Sequence, residues 1–524
     1  RQAFKWVYKV RAESSDVQNE EAILGFEQRS AVAHGWRLPP CVREGWSESR
    51  LGRVYLLAQQ LIGSACRGYS IGSPNHGPGT TFYRYRTLLA KYAWLERDVP
   101  VRLWRRHREF YKPSVPSDLI EPLLIERHEC RITTVPKDVR GPRLVAPHLA
   151  SAIWVQQAIL EGIERTVLTH PLFRGSWPGS DCDVKTVQLR DQSVNQRVAR
   201  YASENPKMYA TIDLKDASDY VSWRLVCFLF KGTTLLKDLY AVRATHCVLP
   251  DKRSIPLGMH APMGSAVCFP IMALCLWSLC TATKWVLDNE HTRYRPTSKS
   301  LWVGNKPFVF GDDIIIPTDL YNAVQTVLTS AGLRLNAAKC FKDDGGFRES
   351  CGHDYYRGYL VTPLMLRRCD IDTLEGSTSL ISLFNRLRAE GQDTVADVLL
   401  ERLLQSNVRS KSGASRVVFS SDHRQLAIHT DSTWEAIRLN RAIGNVTRWN
   451  PDLQRSEVLA SASYSEETVC ENQQLDSRAR LYESLAVGKR QDASLRAFDG
   501  ERDFDISFGW LLNKPRAGSV WIAV

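Results

Sequence analysis

The clearest pattern along the chain is a set of short apolar runs that end on acids. Residues 208–214 read Met-Tyr-Ala-Thr-Ile-Asp-Leu, a β-favouring run carrying Asp213 at its end. Residues 308–317 place Phe-Val-Phe and Ile-Ile-Ile-Pro on either side of Gly311-Asp312-Asp313, which predicts a buried β-hairpin with acids at its tip. Helical spacing follows elsewhere. Ser218 or Asp219 is placed to cap a helix through Val221–Phe230, and 320–332 predicts a helix ended by Gly332. Apolar positions at 380, 383, 384 and 387, and at 395, 398, 399 and 403, predict two further helices. From Ala261 to Thr283 no residue is charged, long enough to suggest a membrane span. Pro262, Gly264 and Pro270 break its first part, so a turn leading into a buried core helix is expected.

Two basic stretches interrupt this pattern. Residues 101–112 (VRLWRRHREFYK) set Arg102, Arg105, Arg106, Arg108 and Lys112 among Trp104, Phe110 and Tyr111. Bases neutralise phosphates and aromatic rings stack on nucleobases, so single-stranded nucleic acid is one reading. A solvated helix face with its aromatics in the core is the other. Residues 131–147 carry Lys137, Arg140 and Arg143 around Pro136, Gly141 and Pro142. That spells a strand–loop–strand, whose cations either converge on a triphosphate or decorate a surface hairpin.

Length and charge narrow the class. A chain of 524 residues exceeds the ~250–300 that one core sustains, so several substructures are expected. Lys+Arg is 69 against Asp+Glu 57, a net charge of +12 that suits a polyanionic partner. Thirteen cysteines without a C-x-x-C pair argue against structural zinc or a disulfide scaffold and for reduced thiols. The opening residues lack a signal-peptide pattern.

The chemistry rests on the acids. Asp343-Asp344, between Lys342 and Gly345-Gly346, reads as a wet turn. Asp312-Asp313, between apolar triplets, must either shift a pKa or be neutralised by a cation. Hard oxygen donors favour Mg²⁺. If the run ending at Asp213 pairs beside the hairpin, three carboxylates meet and can hold two metals for in-line displacement at phosphorus. Lys137, Arg140 and Arg143 would then balance triphosphate charge. Between the acids, His260-Ala-Pro-Met-Gly-Ser265 is an ordinary turn or a close backbone approach to a ligand.

The order of these pieces resembles a right-hand viral RNA-dependent RNA polymerase. ATIDLKDASDYVS, APMGSAVCFPI, VFGDDIII and GLRLNAAKC resemble its successive palm motifs, with 51 residues from Asp213 to Gly264 and 48 more to Asp312. TVPKDVRGPR, DQSVNQR (191–197) and FRESCGHDYYRG (347–358) narrow the resemblance to the RNA replicase subunit of the RNA bacteriophages, the leviviruses. Cys268, where Thr is expected, and Pro270, where a polar residue is expected, depart from it. The resemblance implies an α+β fold of fingers, palm (an antiparallel sheet backed by helices) and helical thumb. The expected divisions are 1–95, fingers 96–207, palm 208–370 with a fingers segment at about 220–300, and thumb 371–524. It implies that Asp213, Asp312 and Asp313 bind two Mg²⁺ ions, with Mn²⁺ as a substitute. Lys137, Arg140 and Arg143 would hold the incoming ribonucleoside triphosphate, with Ser218, Asp219, Gly264 and Ser265 near its ribose.

Lys339 is either a proton donor to pyrophosphate or a surface lysine. Arg348 and Glu349 either brace the nascent RNA or form a buried ion pair, and Arg102, Arg105 and Arg106 are candidate RNA contacts. The resemblance also implies an RNA template, primer-independent initiation, host elongation factors Tu and Ts and a ribosomal protein as partners, no membrane, and the bacterial host cytoplasm as location. Two rival readings are a reverse transcriptase, against which small or polar Ser218 and Asp219 speak, and an RNA-binding protein without activity.

Overall fold

A computed structural model describes residues 14–43, 49–77, 79–84, 91, 98–111, 123–180, 182–289, 306–342, 344–366, 368–407, 409–410, 413–423, 427–464 and 516–524. It is a mixed helix-and-sheet fold. Asp343 of the second acid doublet, Lys112 and all of residues 465–515 lie outside the described residues.

The central sheet has three antiparallel strands in the order Phe308–Phe310, Asp313–Pro317, Tyr209–Ile212. Both faces are covered, which explains apolar runs where a half-exposed strand would alternate. Phe308, Ile315 and Tyr209 pack with Val194, Val198 and Ala202 of the helix Ser193–Glu204. Val309, Ile314, Ile316, Ala210 and Ile212 face the main core. The helix Cys268–Asp288 lies in that core and is long and apolar enough to cross a membrane. Nearly all of it is buried in the fold, as a core helix would be. Pro270 sits in its first turn, where no intrahelical bond is lost.

The hairpin tip is a two-residue turn, Gly311-Asp312, between the paired residues Phe310 and Asp313. Gly311 has φ +60 while Asp312 keeps an ordinary φ, the pattern of a type II′ turn. A Cβ at Gly311 would stand 2.2 Å from the Phe269 ring, so both conformation and space require glycine. A second hairpin, Phe347–Ser350 with His353–Tyr356, turns through Cys351-Gly352. Both turn residues have positive φ (+48 and +77), the type I′ signature.

The expected helix through Val221–Phe230 is divided. A short helix Ala217–Tyr220 ends at extended Val221, and Ser222, rather than Ser218 or Asp219, caps Trp223–Leu229. Ser222 also donates to the Ala33 carbonyl, a tertiary bond that sets the break. The helix Tyr321–Ser330, followed by Gly332 at φ +86, matches its pattern, as do Leu374–Ala389 and Asp393–Gln405. The region after 371 is not purely helical. It contains a three-stranded antiparallel sheet of Thr447–Asn450, Arg455–Tyr464 and Arg516–Ala523 around a separate core. The last strand pairs across a long sequence interval, which no local pattern announces.

Candidate active site

Strand register brings the acids together. Ile314 pairs with Ile212, so the next step along the two strands sets Asp313 opposite Asp213 on one face of the sheet. Asp312 occupies the adjoining turn. Their charges act on one another. Burial, then Asp312 and Asp213, push the Asp313 carboxyl up to about 7. Burial chiefly, and Asp213 in addition, raise Asp312. Asp213 is raised by burial, a rise opposed by Lys339 and by its bond from Asn336. Asn336 donates through Nδ2 to Asp213 Oδ2 at 2.7 Å and through its backbone N–H to the Asp213 carbonyl at 2.9 Å. Among the described residues, no three His, Cys, Asp or Glu side chains stand close enough to grip a metal ion. The acids repel across the site without closing on a centre.

Cations border this group. Lys339 Nζ lies 3.2 Å from Glu349 Oε1 and 3.9 Å from Asp213 Oδ2. Burial works against its charge, but Glu349 and Asp213 raise its pKa on balance. The basic segment forms the expected hairpin, Thr133–Asp138 with Gly141–Val145. Lys137 and Arg143 are exposed on it, and their charges reach Asp213 and Asp312 respectively. Arg140 turns back instead, gripping Asp138 at 2.6 Å. The hairpin docks on the turn before the long helix, where Ala146 N–H donates to the Met263 carbonyl. Gly264, at φ +119, lies so close to Ala146 that a Cβ would meet its carbonyl oxygen at 2.4 Å. Ser265 is buried, and its hydroxyl has no partner among the described residues.

Ser218 lies beside Asp219 (3.3 Å), and Asp219 is bound by Arg29 at 2.8 Å. Burial still raises the Asp219 carboxyl. Asp219 and Asp312 both reach Cys268, whose thiol is pushed up to about 12, first by burial and then by these acids. Cys268 donates to the Ala261 carbonyl, so it braces the turn that the hairpin meets.

One candidate RNA contact is corrected. Arg348 is fully buried; it donates to the Tyr209, Pro206 and Phe347 carbonyls and cannot meet a strand of RNA. Strand alternation sends Glu349 the other way, to Lys339. Arg106 is held by Asp238 at 2.8 Å, beside His107. Arg102 donates to the Arg243 carbonyl and covers the Tyr240 ring. Arg105 is exposed. Trp104 packs on the core, Tyr111 is buried within it, and Phe110 accepts a bond from Trp154. The aromatics of this stretch are core residues, not stacking platforms. Asn336, Asn195 and Gln196 lie in quoted motifs that gave them no individual role, and Arg29 lies in none of those motifs. Each acts on a partner more than a hundred residues away, which no local spacing reveals.

The family described as RNA replicase, beta-chain, matches residues 183–410. The chain is 34% identical over 205 residues to the RNA-directed RNA polymerase beta chain of Escherichia phage MS2, covering 39% of this chain and 34% of that protein. It is 34% identical over 181 residues to the RNA-directed RNA polymerase subunit beta of Qbeta virus (strain MX1), covering 34% and 28%. The chain thus spans about a third of the length of the curated relatives it matches. Among solved structures, an RNA-dependent RNA polymerase of BmCPV at elongation state aligns over 65% of this chain and 32% of its own, with TM-score 0.40 and 10% identity, too loose a superposition to carry argument. The stretch that is similar to the RNA replicase beta-chain family, residues 183–410, holds Asp213, Asp312, Asp313 and Lys339.

Proposed function

We propose that this chain is an RNA-directed RNA polymerase that copies a single-stranded phage RNA genome in the bacterial cytoplasm. The observation that carries the reading is the set of three mutually repelling carboxylates bordered by a basic hairpin. Their donor chemistry fits divalent metal: hard oxygens, excess negative charge, and partial compensation from Lys339. Asp213, Asp312 and Asp313 would hold two Mg²⁺ ions, or Mn²⁺ in their place. Such ions activate the attacking 3′-hydroxyl and stabilise the pyrophosphate leaving group. Lys137 and Arg143 bind the triphosphate of the incoming ribonucleotide, with Arg140 joining them on release from Asp138. Lys339 gives a proton to the departing pyrophosphate. Ser218, Asp219, Gly264 and Ser265 surround the ribose and favour a substrate with a 2′-hydroxyl. Asp219 does so while bound to Arg29, which keeps it in place.

In this reading 208–370 is the palm, 96–207 with about 220–300 the fingers, 371–524 the thumb, and 1–95 packs against fingers and palm. Initiation needs no primer, and host elongation factors Tu and Ts and a ribosomal protein complete the replicase. Arg102, Arg105 and Arg106 are the candidates of their stretch for RNA contact, Arg105 and Arg106 from exposed positions. The test is ribonucleotide incorporation on a single-stranded RNA template with Mg²⁺ or Mn²⁺, with and without a primer. Incorporation that is lost in Asp312→Asn supports the reading. A preference for deoxynucleotides favours the reverse transcriptase instead, and undiminished synthesis by Asp312→Asn sinks the site.

A further inference from the structure

The segment Asp-Gln-Ser-Val-Asn-Gln-Arg (191–197) has no part in the chemistry above, yet two of its residues reach the site. Asn195 and Gln196 are consecutive in the first turn of the helix Ser193–Glu204, which lies against both hairpins. Asn195 is fully buried, and its Nδ2 donates to the Asp313 carbonyl at 3.2 Å. Gln196, half-buried, donates through Nε2 to the Cys351 carbonyl at 3.1 Å. The Cys351 turn lies close enough to Asp313 for each to act on the other: Cys351 works against the rise of the Asp313 carboxyl, and Asp313 adds to the rise of the Cys351 thiol that burial begins. One helical turn thus bonds to both hairpins, to the main chain of the acid at one and to the Cys351 turn at the other.

Two features show that this arrangement is held at a cost. Cys351 stands at φ +48, a conformation that a residue with a Cβ adopts only when its surroundings impose it. Asn195 Oδ1 is buried with no partner among the described residues. Resting on the polymerase reading of the acids, we infer that Asn195 and Gln196 are positioning residues, a clasp that pins the strained Cys351 turn against Asp313 and so sets the direction of the third carboxylate. The clasp works through main-chain carbonyls, so it fixes the two turns without competing for the carboxylate oxygens.

The test uses the full-length chain carrying Asn195→Ala or Gln196→Met, each read two ways. Amide exchange of the peptide containing Cys351, followed by mass spectrometry, reports the turn whether or not the protein is active. Steady-state synthesis separates kcat from KM. The expected result is faster exchange at the Cys351 peptide, with kcat reduced ~10- to 100-fold and KM for the nucleotide within ~2-fold of the parent. If buried Asn195→Ala fails to fold, half-buried Gln196→Met decides alone. Either readout unmoved in Gln196→Met overturns the clasp. Asp312→Asn separates the two failures. An inactive Asp312→Asn beside a fully active Gln196→Met removes the clasp and leaves the site, whereas an active Asp312→Asn removes the site and the clasp with it.

Discussion

Asp238 is a buried acid and Asp313 a half-buried one, and the fold treats them in opposite ways. Asp238 is 2% exposed, and burial alone would raise it. His107 and Arg106 overcome that, so its carboxyl sits below the usual range, and Tyr69 adds a further bond. Asp313 has neighbours of its own sign, and its carboxyl rises to about 7. An acid that serves stability is surrounded with cations by the fold itself. An acid left in repulsion costs stability, and that cost marks a site whose counter-charge comes from outside.

The widest separation should come from exchanging each acid for its amide. Asp312→Asn is expected to lower RNA synthesis by more than ~100-fold, while the melting temperature rises or stays level because a repelling charge is gone. Asp238→Asn should do the reverse. Loss of the partner to Arg106 and His107 should cost roughly 2–4 kcal/mol in a urea titration, less than a fully enclosed pair because Arg106 is partly solvated. Synthesis at low temperature should survive. Equal stability losses in the two variants would abolish the distinction.

Acidity provides the next test. His128, His148 and His260 are buried, and burial holds His148 down to about 4 and His260 to about 3, with Arg243 lowering His260 further. Free imidazoles titrate near ~6.5, so below that the unfolded chain takes up protons that the folded chain refuses. Stability should be complete above about pH 6.5 and fall towards pH 4 by ~1.4 kcal/mol per histidine per pH unit. Asp313 runs the other way: it binds a proton as pH falls through about 7. Any stabilisation by Mg²⁺ in a thermal melt should therefore be larger at pH 8 than at pH 6, and absent in Asp313→Asn.

The smallest effects concern the two basic stretches. Arg143→Ala should raise KM for nucleotide by ~10-fold, the scale of one charge-assisted hydrogen bond. Arg105→Ala should change it less than ~2-fold. An equal effect of both would place the 101–111 stretch beside the basic hairpin at the nucleotide.

That stretch shows where a sequence stops being legible. Its composition is that of a nucleic-acid surface, yet the partners that hold Arg106 and Arg102, Asp238 and the Arg243 carbonyl, lie far along the chain. The acid hairpin was readable because strand, turn and carboxylates are contiguous. Asp213 could be added because its run is as apolar as the strand it pairs with. Asn195, Gln196, Asn336 and Arg29 are ordinary polar residues whose roles exist only after folding. The break at Val221-Ser222 was hidden for the same reason, since the Ala33 carbonyl that Ser222 meets comes from the first described helix.

Backbone rests directly on backbone where Gly264 meets Ala146. No side chain cushions that contact, so neither partner can shift alone. A nucleotide drawing the basic hairpin inward would also press on the start of the long central helix. Recognition of phosphate and recognition of sugar would then be mechanically one event, and a single methyl group at position 264 would uncouple them.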